Sequence, residues 1–223
     1  GILMGGAWAY EALSFGGFWA WDPVENASLV PWLTLVAAGH LMLVNRHRPT
    51  SVYTTFLLTL VTFHLVLYST FLTRSGVLGD TSVHSFTGDG MMPGLTLFML
   101  FFIWLAVVML HTDRGQQRFY TIVAVALLAI GTALKQPVPA ILLFLLVSAV
   151  WTFIAQRRDF PQPNEEEALW SREFWLFIGA LVLLLSAAQI TFSTSVPVLN
   201  LLLEPFQVPL TALADALDSD RLR

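Results

Sequence analysis

Cysteine is absent from the 223 residues of this chain, and charged residues make up only 12% of it. Without a thiol there is no disulfide framework, no thiolate metal site and no cysteine nucleophile. Soluble domains carry about 25% charged residues. A chain well below that level, 56% hydrophobic and with a mean hydropathy of +0.70, reads as an integral membrane protein. Cations are scarce too: 11 Lys and Arg against 15 Asp and Glu leave a formal net charge of -4, which argues against nucleic acid as a partner. No signal peptide is visible. The chain opens on Gly1 inside an apolar run rather than on Met, which reads as a piece of something longer.

What the chain has is long uncharged runs, at 28–45, 52–72, 93–111, 119–134, 138–155 and 173–193. They predict an all-α, polytopic transmembrane helix bundle of about six spans. Gln136-Pro137-Val138-Pro139 separates the short fourth and fifth runs and predicts a tight helical hairpin. The expected division is an interfacial segment 1–27, transmembrane helices over 28–155 with an outer loop 73–93, a loop 156–172, a last span 173–193 and a tail 194–223.

Orientation follows from the arginines. Arg46 and Arg48, Arg114 and Arg118, and Arg157, Arg158 and Arg172 fall in three loops on one side, which the positive-inside rule makes cytoplasmic. The opposite, outward side receives the segment Trp19–Asn26, the loop Thr73–Pro93, the Lys135 turn and the tail.

The outward run Gly16-Gly17-Phe18-Trp19-Ala20-Trp21-Asp22-Pro23-Val24-Glu25-Asn26-Ala27-Ser28 concentrates tryptophans, carboxylates and a diglycine just before the first span. Rings and acids at the mouth of a membrane helix suit a large, flat, partly apolar ligand. Tryptophan alone has another explanation in the aromatic belt of a bilayer. Carboxylates beside hydrocarbon are costly without a partner or a task. Asp22 and Glu25 could form an acid/base pair, and they also suit the capping of a helix beginning near Ala27.

Among the histidines, His84 lies in the outer loop Ser82-Val83-His84-Ser85-Phe86, as a candidate metal or haem ligand or as an ordinary solvated side chain. His40 is expected roughly 8 Å inside the first span and His64 roughly 16 Å inside the second, both measured from the cytoplasmic ends. Either function or structure can account for His40. The difference of about 8 Å makes the two an awkward pair for one iron, and His64 is expected to bond a neighbouring carbonyl or hydroxyl. His47 and His111 read as interfacial. Arg74, ending the second span, could pair with a carboxylate or propionate or simply snorkel.

The run from Gly16 to Leu33 resembles the tryptophan-rich WWD signature of the haem-handling proteins of cytochrome c biogenesis. Its Asp22-Pro23-Val24-Glu25-Asn26-Ala27-Ser28 continuation is similar to the CcmF/NrfE haem lyase branch rather than to CcmC or CcsA. Phe71-Leu72-Thr73-Arg74-Ser75-Gly76-Val77-Leu78 and Ser82–Phe86 match a second block of that branch, and Ser171–Phe174 and Thr194-Ser195 resemble later landmarks. The resemblance is strong over 1–110 and weaker to about 200, and it implies the central part of such a protein.

The resemblance implies that the WWD segment, with Trp19, Trp21, Asp22 and Glu25, lies over a periplasmic haem. It implies that His84 ligates that haem's iron, and that His40 ligates an intramembrane b-type haem. The family's other periplasmic histidine and its second intramembrane ligand match no position here, and Phe18 stands where tryptophan is common. The implied activity is that of a cytochrome c-type haem lyase, or holocytochrome c synthase. Thioether bonds would form between haem vinyl groups and the thiols of a Cys-x-x-Cys-His segment. The implied partners are haem, a haem-delivering chaperone, apocytochrome c, other maturation subunits and the lipid bilayer, at the inner (plasma) membrane. Competing readings are a haem transporter or exporter that forms no bond, and a structural membrane scaffold.

Overall fold

The structure is a computed structural model that describes residues 1–12, 17–47, 49–79, 81–82, 84–86, 90–160 and 169–204. Its helices are α1 (Ile2–Ala12), α2 (Pro23–Asn45), α3 (Val52–Arg74), α4 (Met92–Leu110), α5 (Arg114–Ala133), α6 (Pro137–Arg158) and α7 (Arg172–Thr194). Residues 196–204 add a short helical stretch, and there is no strand among the described residues. Of the expected divisions, Gly16, Arg48, 161–168 and 205–223 lie wholly outside the described residues.

Five helices, α2, α3, α4, α6 and α7, are long and apolar enough to cross a membrane. The expected fourth run forms α5, which starts earlier than the apolar pattern does because Asp113 caps it, accepting the Gly115 N–H at 2.8 Å. Its polar first turn keeps α5 out of that group of five. Nevertheless α5 runs back along its neighbours. Trp104 of α4 donates to Thr121 at 3.1 Å, Tyr120 meets Ser148 of α6 at 2.8 Å, and Gly131 faces Ala140 at the far end.

α2 is the central helix, packed most extensively on α3 and α7, while α4, α5 and α6 form a second group joined to the first through α3. Paired side chains set the register. Asn45 donates to Thr55 at 2.8 Å at one end of α2 and α3, and Thr62 donates to Thr34 at 2.9 Å in the middle. Ala37, Ala38, Leu41, Leu58 and Ala180 fill the interface between these levels, where small residues let the backbones approach.

The hairpin between α5 and α6 is as tight as its prolines predict. Lys135 takes φ +55°, and the Gln136 N–H returns to the Gly131 carbonyl at 2.8 Å. A Cβ on Gly131 would lie 2.1 Å from the Ala140 Cβ, so the crossing requires glycine there. Gly131→Val is expected to force the pair apart and destabilise the bundle by about 1–3 kcal/mol. Unfolding in mild detergent measures this, and unchanged stability would show that the crossing relaxes freely.

The arginine-bearing turns meet at one end of the bundle. The Tyr53 hydroxyl donates to the Thr152 carbonyl at 2.9 Å, and its ring lies 5.1 Å from that of Phe160. His111, expected at an interface, is instead buried at 2% exposure. Its Nδ1 lies 3.2 Å from Asp159 Oδ2 and its Nε2 3.1 Å from the Trp151 carbonyl, tying the end of α4 to the end of α6. The turn folds over it, which the adjacent arginines do not reveal. Burial alone pushes the Asp159 carboxyl up, but hydrogen bonds from the Thr112 hydroxyl and amide, with His111 beside it, outweigh burial and hold it below the ordinary value. A carboxyl lowered on folding stabilises above its unfolded pKa and stops doing so as pH falls through the folded one. Wild-type protein should therefore lose its stability advantage over Asp159→Asn below about pH 4, approaching the variant as acid is added. Thermal unfolding of both across pH 3–7 checks this, and a constant difference would contradict it.

Candidate functional site

The opposite end carries the WWD segment. Helix α2 starts at Pro23, earlier than the expected Ala27, because Asp22 caps it: Asp22 Oδ1 accepts the Val24 N–H at 2.9 Å. Proline at the first helical position has no N–H to leave unsatisfied and supplies the φ a helix needs. Glu25 lies in the first turn, and its Oε2 reaches back to accept the Ala20 N–H at 2.8 Å. Both carboxylates are therefore committed to backbone donors, which fits capping rather than proton transfer.

Between them the chain makes one unusual bend. Trp21 has φ +58°, a left-handed conformation that costs a non-glycine residue about 1–3 kcal/mol. It is held from both sides, because Asn26 Nδ2 donates to the Trp21 carbonyl at 3.0 Å and the Asp22 cap follows immediately. The bend leaves the Trp21 ring 64% exposed. Trp19 stands edge-on to it, with centroids 6.4 Å apart and planes at 82°. The Trp19 ring is half-buried, and its Nε1 is covered without a hydrogen-bond partner among the described residues. Phe18 supports the segment from beneath: a Cβ on Gly6 of α1 would come within 2.7 Å of its ring.

The second sequence block comes to the same place. Ser82 donates its hydroxyl to Asp22 Oδ1 at 2.7 Å, and the same hydroxyl accepts the His84 N–H at 3.1 Å. His84 Nδ1 lies 3.3 Å from Asp22 Oδ1, at ion-pair distance. Asp22 thus brings together the helix start and a loop 60 residues away. An apolar floor of Ala27, Phe71, Leu72 and Leu78 seats the loop. The Phe86 N–H bonds the Thr73 carbonyl at 2.9 Å, and the Arg74 guanidinium stacks 4.1 Å above the Phe86 ring. Arg74 is accordingly at this site, resting on an aromatic face.

His40 is elsewhere. It lies 18 positions along α2 from Asp22, about 27 Å away at the helical rise. Its Nδ1 is 2.8 Å from the Val36 carbonyl, and its ring rests against Gly179 of α7. A carbonyl only accepts, so Nδ1 carries the proton and the lone pair of the neutral ring is on Nε2. His64 makes the expected backbone contact, Nδ1 to the Leu60 carbonyl at 2.7 Å, and its Nε2 is buried without a hydrogen-bond partner among the described residues. From the Thr34–Thr62 level, His40 lies six residues towards the arginine end and His64 two residues the other way, about 12 Å apart along the bundle. The separation exceeds the expected 8 Å, and the two do not share a site.

Sequence reasoning passed over Ser82, Asn26 and Phe86. The first had a visible signal, since serine two residues before a histidine can turn the loop by bonding its backbone. Nothing in the spacing marks Asn26 as the clamp on Trp21.

The family model described as "Cytochrome C assembly protein" matches residues 1–78. A cytochrome c-type biogenesis protein CcmF of Pseudomonas aeruginosa is 36% identical over 199 residues, 89% of this chain and 23% of the relative. The chain belongs to the CcmF/NrfE family of cytochrome c biogenesis proteins. The CcmF protein of Escherichia coli is 44% identical over 120 residues, 52% of this chain and 18% of its own length. The probable NrfE protein of Escherichia coli is 38% identical over 160 residues, covering 69% and 28%. The chain spans 18% to 28% of the length of these relatives. No solved structure matches it. Its five apolar helices and its family make it a multi-pass membrane protein.

Proposed function

We propose that this chain acts in cytochrome c biogenesis by holding haem against the WWD segment for covalent attachment to apocytochrome c. The observation that carries this reading is the convergence on Asp22: one carboxylate caps the helix behind the tryptophans and meets the loop that bears His84. The exposed Trp21 ring offers a flat apolar face, with Trp19 standing edge-on beside it. The imidazole supplies a nitrogen ligand, and Arg74 a cation for a propionate. These groups fit a haem. Bound there, it supplies the vinyl groups that react. Each addition joins a cysteine sulfur of the apocytochrome to one vinyl carbon and its hydrogen to the other, so nothing leaves and no oxidant is consumed.

The chain's own part is to orient the ring and exclude water, and it brings no competing thiol. The Arg-rich end is cytoplasmic by the positive-inside rule and the WWD end periplasmic, in the inner membrane. Haem arrives from a delivering chaperone, and other maturation subunits complete the assembly. His40, with its proton on Nδ1, would offer Nε2 to the iron of a separate intramembrane b-type haem.

The test is a covalent-attachment assay in cells lacking the chromosomal protein and supplied with the full-length version. Holocytochrome formation that depends on the WWD segment supports the lyase reading. Haem released to the periplasm without thioether formation would favour a transporter. Purified protein with no Soret band would leave only a scaffold.

A further inference from the structure

We infer that Asp22 is a positioning residue for His84, setting which imidazole nitrogen faces the iron and how basic that nitrogen is. The inference rests on the haem reading above and goes beyond it, because it assigns Asp22 to the histidine rather than to the porphyrin. His84 Nδ1 is 3.3 Å from Asp22 Oδ1. That is ion-pair reach rather than a formed hydrogen bond; a carboxylate only accepts, so a ring turned to bond it would carry its proton on Nδ1 and its lone pair on Nε2. A carboxylate at the distal nitrogen orients an imidazole and increases its electron donation to a metal.

The position of this carboxylate is not set by the histidine. Val24 N–H holds Oδ1 at 2.9 Å from the first turn of α2, and the Ser82 hydroxyl holds it at 2.7 Å from the loop. The anchor is therefore in place before any ligand binds. The Ser82 oxygen also accepts the His84 N–H at 3.1 Å, so one hydroxyl fixes both the carboxylate and the histidine backbone. Two other charged groups described here have different contacts: Glu25 takes the Ala20 N–H and Arg74 lies over Phe86. Among the described residues, Asp22 is a carboxylate at ion-pair distance from the ring.

The experiment uses the full-length protein with Asp22→Asn. An asparagine oxygen still accepts the Val24 N–H, so the helix cap survives while the charge is lost. The expected result is about 10–100-fold weaker haem retention at the outer site, an upward shift in that haem's reduction potential and a weakened iron–histidine stretch in the resonance Raman spectrum. The potential rises because a less basic ligand stabilises ferric iron less. Each tenfold differential loss is about 59 mV for one electron.

Unchanged potential and stretch in Asp22→Asn, where His84→Ala removes the haem, would overturn the positioning role and leave the ligand standing. Haem unaffected by His84→Ala would instead overturn the haem reading underneath. Should the asparagine variant fail to accumulate, Ser82→Ala spares the cap and loosens the carboxylate. It is expected to shift the potential in the same direction, and no shift would count against the inference.

Discussion

His84→Ala is expected to empty the outer haem site and abolish cytochrome c maturation while the protein accumulates at near-normal level. The side chain is half-exposed, in a loop docked through the Ser82 hydroxyl and the Phe86 N–H, neither of which the substitution touches. The fold therefore should lose little, while the proposed site should lose its nitrogen ligand. The Soret band of purified protein and covalent haem staining of the cytochrome read the two effects separately. If both survive the substitution, His84 is not a ligand and the site must be rebuilt around other groups.

The second large effect belongs to the tryptophans. Trp19→Ala and Trp21→Ala should each weaken haem binding by about 1–3 kcal/mol, by analogy with base–aromatic stacking. Trp32→Ala should do much less. Trp21 presents an exposed ring on a bend held by Asn26, whereas Trp32 lies within α2, about three turns beyond the cap, with its ring on the outer face of the bundle. Because Trp19 and Trp21 touch edge to face, the two losses should not add, and a double variant measures their coupling. Haem titrations giving one affinity for all three single variants would contradict this division.

The helices were legible in the sequence because a membrane helix announces itself through uninterrupted apolar length and through the arginines that bound it. The end of the bundle at which each turn lies was legible for the same reason. Helix beginnings were less so. α2 starts at Pro23 and α5 at Arg114, ahead of their apolar runs, because Asp22 and Asp113 cap them, and a cap acts on backbone donors rather than through hydropathy. The motif residues stood out by type, but type did not separate their roles. Asp22 and Glu25 look interchangeable in the string, yet one reaches a loop histidine and the other only its own segment. His111 looked like one more interfacial histidine beside an arginine, although it is enclosed between two helix ends.

By itself, the sequence determined that this is a multi-span helical protein, where its charged turns lie, and which family its two motif blocks belong to. These properties depend on composition and on short-range order, which the linear chain contains. Only the tertiary structure decided that the two blocks meet at Asp22, that Arg74 rests on Phe86, and that His40 and His64 stand about 12 Å apart along the bundle. Those facts depend on the register between helices. Register is set by contacts such as Thr34–Thr62 and Gly131–Ala140, made between residues distant in sequence, and hydropathy does not record which of them will touch.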